Sequence, residues 1–181
     1  MDRAVHGATA EVYVIMATAL ASHGPENLAG NHFSSSTGEN GWIINLTIDV
    51  DADARRIFQA LTVPEYIEAW ITLPGQSDDS VIQAAEEKNG YCIDHYVAGR
   101  RAVNIRSSYL FRHQKKMRMF WKKTKETSCL ESLVDFRLRG NFGDSVLELR
   151  HMEIQTFADF EWHLSLWRNS LSKLASLLRS A

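Results

Sequence analysis

The last quarter of the chain constrains the fold most, because apolar residues recur at Phe157, Phe160, Leu164, Trp167, Leu171, Leu174 and Leu178, at alternating spacings of three and four. That period is the signature of a long amphipathic helix, and a stripe of this length has to be covered by an apolar surface elsewhere in the chain. The covering surface is legible upstream. From residue 80 to about 154 no helical period occurs, and short alternating segments are separated by turn signals. Strands are expected near 80–86, 90–97, 102–112, 117–124, 129–138 and 145–151. The turns between them fall at Lys88-Asn89-Gly90, Gly99-Arg100, His113-Gln114-Lys115 and Gly140-Asn141-Phe142-Gly143. Connections this short make an antiparallel meander. Counting by two gives its apolar face: Val103, Ile105, Ser107, Tyr109 and Phe111; Met117, Met119 and Trp121; Leu130, Ser132, Val134, Phe136 and Leu138; Leu147, Leu149 and His151.

The meander is preceded by one more alternating segment, Trp42 with Ile44, Leu46, Ile48 and Val50 against Asn45, Thr47 and Asp49, which reads as a half-buried strand. Asp51 ends it. Asp53 suits a helix N-cap, so a short helix is expected over Asp53 to Leu61. A second should start at Pro64, where a missing amide costs nothing, and end near Trp70. Residues 22–41 are rich in Gly, Ser and Asn and show no period, and residues 1–41 are expected to form a flexible or loosely packed leader to a domain over 42–181. The class is therefore α+β: a curved antiparallel sheet of about six to seven strands around a long C-terminal helix, with two short helices after the first strand.

Charge and motifs narrow the functions. A net charge of -2 offers no broad positive field for nucleic acid or an anionic membrane. Val12 to Ala21 is a ten-residue apolar run, shorter than the roughly 20 residues that cross a bilayer. A signal peptide has a similar outline, but Glu11 abuts the run and Asp2 offsets Arg3, so a cytoplasmic protein is expected; a start at Met16 is the other expectation for this region. Cys92 and Cys129 lie far apart in strand-like segments, which suits buried thiols in a reducing compartment. Asp49-Val50-Asp51-Ala52-Asp53 resembles the start of a calcium loop, yet Ala54 stands where such a loop needs glycine and Ala60 where it needs glutamate. The sequence holds no HExxH, CxxC, P-loop, GxGxxG or nucleophile elbow, and no cofactor or metal is expected.

Four segments carry a family resemblance. IDVDADARRIFQALTVPEYIEAW (48–70), KMRMFWKK (116–123), LELRH (147–151) and WRNSLSKLASLL (167–178) together resemble the SRPBCC or START-like superfamily, and within it the branch similar to the activator of the heat-shock-protein-ninety ATPase. Two departures stand out: the paired glycines common near the third strand are reduced to Gly90, and Leu166 replaces the glycine usual before the helix Trp. The resemblance implies a helix-grip fold with a pocket for an apolar or amphipathic ligand. Carriers, cyclases and co-chaperones share that fold, so fold leaves the function open.

The pocket-lining candidates are Trp70, His95, Ser107, Tyr109, Trp121, His151 and Trp167. His151 ends an otherwise leucine-lined strand and reads either as a polar anchor for a ligand or as a core histidine held by hydrogen bonds. Tyr109 and Ser107 carry the same two readings, and Trp70 is either at the pocket mouth or a packing residue. The basic run Arg112, His113, Lys115, Lys116, Arg118, Lys122, Lys123 and Lys125 reads as a solvated strand face, with a docking patch for an acidic protein or nucleic acid as the alternative, nucleic acid being the poorer choice for a chain of this net charge. The expected function is a binding module for a small hydrophobic or amphipathic ligand. A co-chaperone-like protein binder and a cyclase-like enzyme with dispersed pocket residues are the alternatives.

Overall fold

The computed structural model describes residues 32–38, 41–125, 128–141 and 144–179. Eight strands among them form one antiparallel sheet: β1 (His32–Gly38), β2 (Gly41–Val50), β3 (Ser80–Glu87), β4 (Gly90–Val97), β5 (Arg100–His113), β6 (Lys116–Lys125), β7 (Ser128–Asn141) and β8 (Asp144–Ile154). Their order is β1-β2-β8-β7-β6-β5-β4-β3. The meander is as expected, and the strand count exceeds the expected six to seven. The additional strand is β1, built of the HFSSSTG segment inside the stretch read as leader. A strand whose one apolar side chain, Phe33, packs against the core leaves no apolar period in the sequence. Residues 1–31 lie outside the described residues, as does part of the Gly140–Gly143 turn.

Three helices complete the fold: α1 (Ala54–Thr62), α2 (Pro64–Trp70) and α3 (Phe157–Arg179). Asp53 caps α1, its Oδ1 accepting from the Arg56 amide at 2.8 Å. Pro64 opens α2. The helices are tied to each other by side chain to backbone bonds. Trp70 Nε1 donates to the Ala60 carbonyl at 2.7 Å, Arg56 donates to the Leu178 carbonyl at the C-terminal end of α3, and Ser170 Oγ accepts from the Thr72 amide at 2.9 Å. A cation on the last carbonyls of a helix also meets the favourable end of its dipole.

α3 lies in the concave face of the sheet, where Trp167 packs against Trp121 with ring centroids 4.9 Å apart and edge-on against Phe136 at 5.8 Å. The helix is turned slightly from the expected stripe. His163, Leu166 and Ser170 are buried, whereas Phe157 is 44% exposed and Leu164 half-buried. Two other expectations on facing are corrected. A bulge between Tyr109 and Phe111 reverses the alternation of β5, so Phe111 sits opposite Arg118 on the convex side and Arg112 lies over the Tyr109 ring at 4.9 Å. The cysteines are less covered than expected, Cys92 being half-buried and Cys129 exposed.

Gly90 is required where β4 leaves its turn. A Cβ built there would lie 2.0 Å from the Ser107 carbonyl oxygen, a backbone atom with no room to retreat while β4 and β5 stay paired. Gly90→Ala is expected to lower unfolding free energy by about 2 kcal/mol, read from urea denaturation, because overpacking against fixed backbone forces the strands apart.

Candidate functional site

The concave face carries two kinds of polar side chain. Some are fully engaged inside the protein. His151 Nδ1 accepts from Trp167 Nε1–H at 2.8 Å, and an indole N–H only donates, so the proton of the neutral imidazole sits on Nε2. Nε2–H then donates to Ser132 Oγ at 2.6 Å, and the Ser132 hydroxyl donates to the Trp121 carbonyl at 3.1 Å. Burial first, then the neighbouring His163 ring and the Lys123 ammonium, pushes the His151 pKa well below its ordinary value, so the ring stays neutral. The contact has the look of a serine–histidine pair, but its polarity is reversed. A general base must offer a lone pair to the serine proton, and here that nitrogen holds a hydrogen. His151 is a structural link between β8, β7 and α3.

Ser107 and Trp70 are engaged in the same sense. Ser107 Oγ accepts from the Tyr91 amide at 3.1 Å and donates to the Tyr91 carbonyl at 3.2 Å, pinning β4 to β5. Trp70, 1% exposed, joins α2 to α1.

Other buried groups on this face find no partner among the protein groups: both ring nitrogens of His95, the Tyr109 hydroxyl, Trp121 Nε1 and His163 Nε2. His95, Tyr109 and Trp121 are at inward positions of β4, β5 and β6, and His163 is on the buried side of α3. The His163 ring stands 4.5 Å from that of His151, and the Trp121 ring 6.4 Å from it, so both rings neighbour one imidazole. His163 Nδ1–H donates to the Asp159 carbonyl at 2.7 Å, which leaves Nε2 as a bare acceptor. Burial first, then the Lys123 charge, lowers its pKa to about 4. Burial likewise raises the Tyr109 pKa and lowers that of His95.

Beside this pair the interior is closed by an ion pair that the sequence reading missed. Lys123, expected on a solvated face, is 7% exposed; its Nζ bonds to Asp159 Oδ1 and lies 4.5 Å above the Trp162 ring. Asp159 also accepts from Thr156 Oγ1 at 2.5 Å, and Thr156 Oγ1 accepts from the Asp159 amide at 3.1 Å, a capping arrangement at the start of α3. Burial raises the Asp159 carboxyl, and the hydrogen bonds from Lys123 and Thr156 more than reverse this, so it lies below its ordinary value. Parity held the missed signal: counting by two from Trp121 puts Lys123 inward.

The wall is aromatic between these polar atoms, with Tyr91 and Tyr109 edge-on at 6.2 Å and Met119 within reach of the Tyr91 hydroxyl. Two surface openings, of about 150 and 440 Å³, lie on the convex side of the sheet. Among the described residues no cluster of three or more metal-binding side chains occurs, and no helix is long and apolar enough to cross a membrane.

No family model matches the sequence, and no curated protein matches it. Solved structures do. CalU16 from Micromonospora echinospora is 18% identical with a TM-score of 0.56, over 83% of this chain and 87% of that one. A Rhodobacter sphaeroides protein is 14% identical with a TM-score of 0.64, over 82% and 99%. The Aha1 dimer from Colwellia psychrerythraea is 19% identical with a TM-score of 0.53, over 75% and 95%. At these identities the likeness is one of fold, an antiparallel sheet curved around a long C-terminal helix.

Proposed function

We propose that this protein binds a small amphipathic molecule between the concave face of the sheet and α3, without transforming it. The observation that carries the reading is the set of buried, unpartnered polar atoms on His95, Tyr109, Trp121 and His163, set among aromatic side chains. Each such atom costs about 1–3 kcal/mol if left unsatisfied, and a few polar groups in an apolar wall are how ligand pockets fix orientation. A ligand hydroxyl matches the pair nearest His151, donating to His163 Nε2 and accepting from Trp121 Nε1–H. The reversed serine–histidine polarity supports binding over acid–base catalysis.

The domain of this proposal runs over residues 42–181 with β1 added at its edge. Free Cys92 and Cys129 support a cytoplasmic setting. The nearer kinship with activators of the heat-shock-protein-ninety ATPase draws on the four sequence segments, with the Colwellia psychrerythraea Aha1 dimer among the fold relatives.

The test is a titration of the indole N–H resonances with 2-naphthol and with decanol. Saturable shifts of the Trp121 indole are expected, and Trp121→Phe, which removes the donor and keeps an aromatic ring, is expected to weaken binding about tenfold, the worth of one hydrogen bond. Saturable binding that leaves the Trp121 resonance and the Trp121→Phe affinity unchanged would show the site to be elsewhere.

A further inference from the structure

Among the described residues no element covers the convex face of the sheet, since α1, α2 and α3 pack among themselves and against its other side or edge. Its surface is organised in rows that run across the strands. Phe120, Leu133 and Met152 are register partners on β6, β7 and β8, forming an apolar seam in which Phe120 is 38% exposed and the other two are half-buried. Leu110, pushed out at the β5 bulge, is 50% exposed nearby.

Cations flank this seam. The outward positions of β5 to β8 present Arg106, Lys116, Lys122, Arg137, Arg139 and Arg150, and among the described side chains there the carboxylates are Glu131, Glu148 and Asp135. Asp135 is buried and held at both oxygens by Arg118 at 2.5 Å, so it cancels a charge that is already counted out. Arg106 is paired with Glu87 at 3.5 Å and Arg139 with Glu148 at 3.0 Å, so the face keeps a net positive charge carried chiefly by Lys116, Lys122, Arg137 and Arg150, in a chain of net charge -2. Both surface openings lie on this face. The larger is lined by Phe120, Arg106 and Lys122 together with Glu87 and Glu131, and the smaller by Arg137 and Arg150 together with Asp135 and Glu148.

We propose that the convex face docks an acidic protein segment, whose apolar side chains lie along Phe120, Leu133 and Met152 while its carboxylates meet Arg137 and Arg150. Charge complementarity picks the partner. Nucleic acid would want an unbroken positive track, whereas Glu131 and Glu148 interrupt this one and the centre of the patch is apolar. An exposed apolar seam with a charged rim is the layout of a protein interface.

The test uses the full chain and a short synthetic peptide in which aspartates and glutamates surround one leucine and one phenylalanine. Three comparison probes are run with it: the same peptide with lysine for every acid, a single-stranded oligodeoxynucleotide, and vesicles of equal parts phosphatidylcholine and phosphatidylserine. Binding of the acidic peptide should shift amides of β6 to β8. The double variant Arg137→Glu with Arg150→Glu should weaken it at least about tenfold, since like charges across an interface cost several kcal/mol. Phe120→Ser should also weaken it, and Lys173→Glu, on the exposed side of α3, should leave it unchanged. No binding of the acidic peptide, equal binding of the lysine peptide, or tighter binding of the oligonucleotide or the vesicles would overturn the proposal. So would an acidic-peptide affinity that the charge-reversed variant retains.

Discussion

Trp167→Ala is expected to remove about 4 kcal/mol of stability, the range found when a fully buried large aromatic is truncated. Trp167 has no exposed surface and touches Trp121, Phe136 and His151. Two losses combine. The cavity removes ring contacts on three strands, and the missing indole leaves His151 Nδ1 as a buried acceptor without its donor. For a chain of this size the melting temperature should fall by roughly 10 °C. Trp167→Phe separates the two losses, because it keeps most of the ring volume and deletes the donor. Its effect should be about half as large. A change below about 1 kcal/mol in Trp167→Ala would mean that α3 is not clamped to the sheet as described.

Acid is the second strong lever. His163 and His151 are both buried and neutral, with pKa values below the ordinary 6.5, that of His163 at about 4. In the unfolded chain both would take up a proton near pH 6.5. Below that pH the unfolded state binds more protons than the folded one, so stability present above pH 6.5 is lost as pH falls. His163 alone accounts for about 3 kcal/mol between pH 6.5 and about 4. His151 adds to the loss in the same direction. The groups facing His163 are Lys123 and Asp159: the ammonium opposes its protonation, and the carboxylate favours it more weakly. Urea denaturation at pH 7 and pH 4.5 reads the difference. His163→Gln should flatten it, since an uncharged side chain that does not titrate replaces the one that does; an unchanged pH profile in that variant would place the acid sensitivity elsewhere.

These two effects also show where sequence reading succeeds and where it stops. The stripe from Phe160 to Leu178 and the turn residues between strands locate nearly every element, because helical and strand periods are properties of neighbouring residues. Trp121 and Tyr109 follow from parity in the same way. The state of His151 does not, since it depends on Ser132 and Trp167, which come near it only through strand pairing and helix docking. Its proton position is decided by an indole 16 residues away. The bulge at Leu110 is likewise invisible locally, and it alone turns Phe111 outward and Arg112 inward. Lys123 was legible by parity, but a lysine inward is only tolerable with Asp159 and Trp162 beside it, and that pairing spans 36 residues.

The central claim is that the concave interior holds a small amphipathic molecule against Trp121 and His163. Native mass spectra of the freshly purified protein, taken before and after mild denaturation, test it most directly. The account predicts a discrete added mass that disappears on denaturation and is reduced in Trp121→Phe. A protein that shows its bare chain mass in both spectra, and that retains neither added 2-naphthol nor decanol, would contradict it.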